Sequence, residues 1–192
     1  MAQKINPIPK GYRSATPALV VRNAAAAIDY YGHLFGATEV SRHYGPDGIT
    51  ILRAELKIGN SLVHLSDEIP ALGILSPLSL GGTTGSVQLF LNDVDAAWDR
   101  ALQGGSVAVM PLEDTYWGER TGRIVDAFGH VWTLSQRTEA VSKAELRKRV
   151  TALFAPLGDD DTATGEFSDD IPTVDIRAIE TSLETSSHTA TM

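Results

Sequence analysis

Two stretches of the chain carry the same order of apolar and polar positions. Residues 16–37 read TPALVVRNAAAAIDYYGHLFGA, and residues 86–106 read SVQLFLNDVDAAWDRALQGGS. Each opens on an apolar run rich in Val and Leu, as a buried strand does. Each then reaches Asn23 or Asp93, short side chains able to accept an orphan N–H at a helix start. Ile28, Tyr31, Leu34 and Phe35 recur at helical spacing and predict a helix running to about Phe35. Gly36 suits the left-handed position that closes a helix. The second copy predicts a helix over 94–103, closed by Gly104-Gly105. HLS at 64–66 recurs as TLS at 133–135, an offset of 69 against about 70 for the longer segments. One fixed period along a chain marks a duplicated unit.

Three strands are predicted after each helix. In the first copy YGPDG, 44–48, is a turn, because Pro46 presets φ and Gly48 tolerates the bend after it. ITILRAELKIG alternates around Ile49, Ile51 and Glu55, Gly59-Asn60 turns the chain, and SLVHLSD is the last strand. In the second copy the strands are predicted at 106–111, 120–126 and 130–136, with a turn at Ala127-Phe128-Gly129. The predicted fold is therefore α+β, with two tandem βαβββ units at 12–68 and 86–138. An arm, 1–11, precedes them. The connector 69–85 has the prolines and glycines of a linker but also Ile69, Leu72, Ile74, Leu75, Leu78 and Leu80, so it is expected to pack on a surface. Its LGGTTG lacks the lysine and strand-to-helix setting of a phosphate loop.

Beyond the second unit, residues 139–155 predict a helix. Ser142 and Glu145 form a capping pair, with Leu146, Val150 and Leu153 as its buried stripe. The composition then turns acidic. The net charge of −8 lies in residues 156–192, which hold one Arg against nine acids, while residues 1–155 hold fifteen of each sign. That tail is predicted to be disordered, with Ile171, Val174, Ile176, Ile179 and Leu183 as a weak docking segment. A neutral body without a basic stripe argues against nucleic-acid binding. The chain has no cysteine, which excludes disulfides, thiolate metal sites and thiol nucleophiles. No apolar run approaches a membrane span, and residues 1–14 do not read as a secretory signal, so a cytoplasmic location is expected.

Four separated motifs, TPALVVRNAAAAIDYYGHLFGA, AELKIGNSLVHLSDE, VDAAWDRALQGGS and YWGERTGRIVDAFGHVWTLS, resemble the vicinal-oxygen-chelate superfamily. This is the group of glyoxalase I, bleomycin-resistance proteins, extradiol dioxygenases and fosfomycin-resistance proteins. The likeness is to its glyoxalase/bleomycin-resistance-like, PhnB-like branch. It covers roughly residues 12–150 and fails over the acidic tail. Ala127 departs from the branch, which usually has proline there. The resemblance implies two curved half-barrels around a cleft, and often a homodimer, sometimes with exchanged halves.

Metal-using members place ligands at equivalent strand positions, two per repeat. Carried over by motif, those positions are Thr16, His64, Ser86 and Thr133. One imidazole and three neutral hydroxyls make a poor set for a divalent cation, so no metal and no other cofactor is expected. Strand alternation turns Ala18, Leu62, His64, Gln88, Phe90, Val131 and Thr133 toward the cleft. Tyr116, Trp117 and Arg120 are candidates for its rim. Trp offers a flat face, and Arg offers a planar fork for an anion, unless Arg120 pairs with a nearby acid such as Asp126. The predicted ligand-binding set is thus Thr16, Ala18, His64, Ser86, Gln88, Phe90, Tyr116, Trp117, Arg120 and Thr133, with His64 the candidate acid/base. His64 equally suits a hydrogen-bonded core position. Trp132, Tyr30 and Tyr31 read as packing residues. Three functions stay open: binding or sequestration of an aromatic or secondary-metabolite-like molecule, a glyoxalase-like lyase, isomerase or epimerase using atypical ligands or His64, and a module whose acidic tail recruits a basic partner.

Overall fold

A computed structural model describes residues 5–155. The acidic segment 156–192, with the docking stretch predicted inside it, lies outside the described residues. The elements run β1 (Ala18–Val21), α1 (Ala24–Phe35), β2 (Thr38–Tyr44), β3 (Ile51–Ile58), β4 (Ser61–Asp67), α2 (Pro77–Leu80), β5 (Ser86–Phe90), α3 (Val94–Gln103), β6 (Val107–Asp114), β7 (Glu119–Val125), β8 (Val131–Arg137) and α4 (Lys143–Phe154). They form two four-stranded mixed sheets, ordered β1-β4-β3-β2 and β5-β8-β7-β6. Each is a βαβββ unit whose first strand runs parallel to its last.

The two units are tied locally in the same way. Asn23 Oδ1 accepts from Ala26 N and Asp93 Oδ1 from Ala96 N, each at 3.0 Å. The first helical N–H is then bound by the end of the last strand. Ala24 N donates to Asp67 at 2.7 Å, and Val94 N to the Gln136 amide oxygen at 3.0 Å. Pro111 sits within β6, which is an outer strand, where a missing N–H breaks no central ladder.

One core joins the units. Leu19, Val21, Val63, Leu65, Ile124, Trp132 and Leu134 share one buried cluster with residues of α1 and α3, and the Trp132 ring meets Tyr31 and Phe35 of α1 at 5.4 and 4.8 Å. Its polar centre is Asp126, which is fully buried. Asp126 Oδ2 accepts from Tyr31 Oη at 2.6 Å and from Trp132 Nε1 at 2.7 Å. Its Oδ1 accepts the backbone N–H groups of Phe128 and His130 at 2.9 Å each. Burial, and secondarily the Asp126 charge, hold the Tyr31 hydroxyl well above the usual tyrosine range. The bond from Tyr31 to Asp126 crosses between the units, as do Tyr30 to Ser106 at 2.7 Å and His130 Nε2 to the Val20 carbonyl at 3.0 Å. With α1 and α3 enclosed in this shared core, each sheet turns its other face outward.

The flanking segments differ from expectation in detail. The connector contains a helical turn at Pro70–Leu72, an Ile69–Ile74 bridge and α2. Pro77 is buried and Leu78 packs on Val125, but Leu72 and Leu80 are exposed. On α4, Ser142 Oγ caps Glu145 N at 3.2 Å as predicted. The stripe predicted to be buried there is not: Leu146 and Val150 are half-buried and Leu153 is 54% exposed. The reason is that α4 is held by ions rather than by the core, through Arg149 to Glu139 at 2.8 Å. No helix among the described residues is long and apolar enough to cross a membrane.

Candidate functional site

The outward face of the second sheet forms a cavity of about 580 Å³, within the range of small-molecule pockets. It is lined by Ser86, Gln88 and Phe90 of β5, Met110 of β6, Trp117 before β7, Glu119, Thr121, Gly122 and Arg123 of β7, and Thr133 of β8. Period-two alternation explains the set. Ser86, Gln88 and Phe90 share one face of β5, and Glu119, Thr121 and Arg123 share one face of β7. The register places Gln88 opposite Thr133, and Thr133 opposite Arg123. Gln88 Nε2 donates to Ser135 Oγ at 3.0 Å, and Thr121 Oγ1 shares a 2.8 Å bond with the same hydroxyl. Phe90 is 62% exposed, Met110 51% and Trp117 40%, so the cavity has large apolar walls open to solvent.

The wall at Trp117 depends on its glycine. Gly118 has φ 87°, and a Cβ there would stand 2.7 Å from the Glu139 carbonyl oxygen. Its own carbonyl accepts from the N–H groups of Thr138 and Glu139 at 3.0 Å each. The Tyr116-Trp117 turn is thereby clamped to the segment after β8. The two rings meet edge to face at 4.8 Å. Tyr116 is exposed beside Trp117 but outside the cavity lining.

Arg120 is engaged elsewhere. Strand β7 starts at Glu119, so Arg120 falls on the face toward α3 and Glu119 on the face toward the cavity. Its guanidinium donates to both Asp95 oxygens at 2.8–3.1 Å and lies 3.8 Å from Asp114. Its partner is Asp95, and Asp126 is saturated by other donors.

The first unit carries a different arrangement at the matching place. His64 stands opposite Ala18 on β1 and opposite Glu55 on β3. Its Nε2 lies 2.9 Å from Arg53 Nη2 and 3.2 Å from Tyr12 Oη. Tyr12 in turn donates to Glu55, which also accepts from Arg53 at 2.9 Å. An arginine N–H can only donate, so His64 Nε2 is the acceptor and its proton sits on Nδ1. Burial, and then the Arg53 charge, lower the His64 pKa below 6.5. The Tyr12 hydrogen bond holds the Glu55 carboxyl below its ordinary range. The result is a neutral imidazole in a polar cluster that is satisfied within its own unit.

The predicted site residues therefore divide. Ser86, Gln88, Phe90, Trp117 and Thr133 come together in the second-unit cavity. His64 belongs to the first-unit cluster, Thr16 precedes β1, and Ala18 lines a separate groove with Val20, Leu75, Pro77 and His130. Sequence reasoning missed Met110, Glu119, Thr121 and Arg123. The signal for the last three was present in ERTGRIV, once the strand is begun at Glu119 rather than at Arg120.

Register also tests the metal positions that the resemblance implies. Across the parallel ladders His64 stands opposite Ala18, and Thr133 stands opposite Gln88. The implied set of Thr16, His64, Ser86 and Thr133, three hydroxyls and an imidazole, is not a divalent-metal donor set, and these register neighbours add only a methyl group and an amide. Among the described residues no group of three or more His, Cys, Asp or Glu could hold a metal ion.

A family model described as Glyoxalase/Bleomycin resistance protein/Dioxygenase superfamily matches residues 13–134. Proteins Rv0887c of Mycobacterium tuberculosis and Mb0911c of Mycobacterium bovis are each 41% identical to the chain over 140 residues. Those residues are 71% of this chain and 82% and 91% of the two relatives. Among solved structures, TioX from Micromonospora sp. ML1 is similar with a TM-score of 0.50 and 25% identity, over 68% of this chain and all of that one. A PhnB protein from Bacillus cereus shares the fold with a TM-score of 0.51 at 19% identity, over 65% of this chain and 99% of that one.

Proposed function

Because the chain belongs to the Glyoxalase/Bleomycin resistance protein/Dioxygenase superfamily, we propose that it binds a small molecule without a metal ion, in a cup that two copies of the chain complete. The observation that carries this reading is the second-unit cavity, with Phe90, Met110 and Trp117 exposed around polar Gln88, Thr121 and Thr133. Aromatic walls with a few placed polar groups suit a flat aromatic or secondary-metabolite-like guest. The metal-independent part rests on the corner residues Thr16, His64, Ser86 and Thr133, with Ala18 and Gln88 opposite His64 and Thr133 in register, a set without the donors a cation needs.

The direction of the sheets supports the dimer. Both units bury their helix faces in one core, and the lining of the cavity comes from the second unit alone. One sheet makes a half-open cup. The outward face of a second copy's first unit, the face that carries His64 and Glu55, would close it. Tyr44 and Leu52 on the first sheet, Ile49 in the turn between β2 and β3, and Leu72 and Leu80 on the connector add exposed apolar surface of the kind that marks contact sites.

Isothermal titration of chelator-treated protein with flat, aromatic or cationic natural products tests the binding. Saturable binding that weakens in Trp117→Ala is expected. No binding to the cavity, together with metal-dependent turnover, would overturn it. Plasma metal analysis is expected to find no stoichiometric Zn, Ni, Mn or Fe. Light scattering is expected to give twice the 20.6 kDa chain mass.

A second reading is a lyase- or isomerase-type enzyme. It is supported by the neutral His64 held beside Tyr12 and Glu55. Its weakness is that the His64 Nε2 lone pair already accepts from Arg53. Turnover lost in His64→Gln, with ligand binding kept, would favour it.

A further inference from the structure

The second-unit cavity holds an arginine whose side chain has no partner among the described residues. Arg123 lines it from the middle of β7, between Met110 on β6 and Thr133 on β8. Its Nε is buried and has no hydrogen-bond partner. Among the described residues the ion-paired arginines are Arg22, Arg42, Arg53, Arg120 and Arg149, and Arg123 has no carboxylate within reach. A buried donor atom left without an acceptor is rare, because burial removes its water and gives nothing back. The Thr133 side chain directly across the ladder likewise has no partner among the described residues.

Among the described residues, the repeat shows that this unpaired charge is specific to the second unit. Glu55 on β3 stands opposite His64 just as Arg123 on β7 stands opposite Thr133. The first-unit charge is satisfied, by Tyr12 reaching over from the segment before β1. Ala18 corresponds to Gln88 by register, an offset of 70, and that offset carries Tyr12 onto Gly82. Gly82 has no side chain to reach over, and nothing lies within 4 Å of where its Cβ would be. Gly82 lies instead in the groove with Ala18 and His130 and not in the cavity lining, so among the described residues no connector side chain does for Arg123 what Tyr12 does for Glu55.

We infer that the cavity takes a monoanionic aromatic ligand, its carboxylate or comparable oxyanion gripped by the Arg123 guanidinium and the Thr133 hydroxyl, its ring against Phe90, Met110 and Trp117. This rests on the cavity-binding function proposed above and names its substrate class. A planar oxyanion matches the guanidinium fork in two parallel hydrogen bonds, and a cation of the same shape is repelled. Glu119 lies on the same face four residues earlier, about 13 Å along the strand, too far to neutralise Arg123. It sits beside Trp117 at the open end, where it disfavours a second negative charge and accepts a donor from the guest.

The test uses the full chain, free of metal, and three probes of one shape: naphthoate, naphthamide and naphthylmethylamine, titrated by calorimetry. Naphthoate is expected to bind roughly tenfold to a hundredfold tighter than naphthamide, as one charge-assisted bond in place of a neutral one warrants. The amine should bind weakest. Arg123→Gln should bring naphthoate down to the naphthamide level while naphthamide binding is kept, which also shows that the variant is folded. Arg123→Lys should retain part of the preference. Arg147→Gln, a cation removed from exposed α4, should retain all of it. In nitrogen-15 spectra the Arg123 Nε–H signal should move with naphthoate and stay with naphthamide. Equal affinity for naphthoate and naphthamide, or a preference that survives Arg123→Gln, overturns the inference. Failure of all three probes on the parent protein removes the cavity-binding reading itself, and this one with it.

Discussion

Asp126→Asn isolates the bond network that joins the two units. The parent carboxylate accepts four hydrogen bonds, two backbone N–H groups on Oδ1, and Tyr31 Oη and Trp132 Nε1 on Oδ2. The asparagine oxygen can keep the two backbone donors. Its amide group then faces the tyrosine and the tryptophan. The Tyr31 hydroxyl can turn and accept, but an indole N–H only donates, so two donors meet at Trp132. One buried donor left without an acceptor costs about 1–3 kcal/mol, and loss of the charge weakens the remaining bonds, for a total of about 2–4 kcal/mol. With a urea slope of about 2 kcal/mol per molar, the unfolding midpoint should fall by about 1–2 M with the slope unchanged. A double-mutant cycle sharpens the test. In a Trp132→Phe background the clashing indole is gone, and the cost of Asp126→Asn should shrink by about 1–2 kcal/mol. An equal cost in both backgrounds would refute the assignment to Trp132. A variant as stable as the parent would refute it differently, since desolvating the buried charge would then cost as much as its four bonds contribute.

Three further outcomes rest on the same geometry. Gly122→Ala would put a Cβ 2.6 Å from the Trp98 ring and 2.9 Å from the Leu112 Cα. Because one of those atoms is backbone, overpacking should cost about 1–3 kcal/mol in thermal or urea unfolding. His64 has a folded-state pKa lowered from 6.5 by burial and by Arg53, so the unfolded chain takes up the proton first. Its contribution to stability should be complete above pH 6.5 and fall as the pH drops from there through the folded value, with the slope reduced in His64→Gln and the NMR titration midpoint below 6.5. Gly118→Ala forces a left-handed φ of 87° and a 2.7 Å approach to the Glu139 carbonyl. It should free the Trp117 turn, seen as a red-shifted tryptophan emission and weaker ligand binding.

The duplicated units were legible in the sequence because two local signals repeat at one period. Asn23 and Asp93 both cap as predicted, and Leu19, Val21, Ile124 and Trp132 fall on core faces as alternation requires. The exposed stripe of α4 was not legible, because Leu146, Val150 and Leu153 have helical spacing whether or not a core meets them. The site was half legible for a related reason. Alternation within β5 and β8 found Gln88, Phe90 and Thr133, and the resemblance supplied Ser86. On β7 the phase depends on where the strand begins, and a shift of one residue exchanges Arg120 for Arg123 between opposite faces. Spacing fixes which residues share a face. It does not say which arginine has an acceptor, since Asp95 reaches Arg120 from 25 positions away in the chain.

That exchange changes what the protein is suited to bind. With Arg120 as the ligand-facing cation, the cavity would hold a charge already neutralised by Asp95, and an uncharged or cationic guest would fit as well as any. With Arg123 the charge is uncompensated within the described residues, and neutral partners cannot satisfy its buried Nε as an anion does. The two copies of the unit have thus taken opposite courses at one register position. Glu55 is closed off by Tyr12 and Arg53 in the first unit, while Arg123 is left facing an opening in the second.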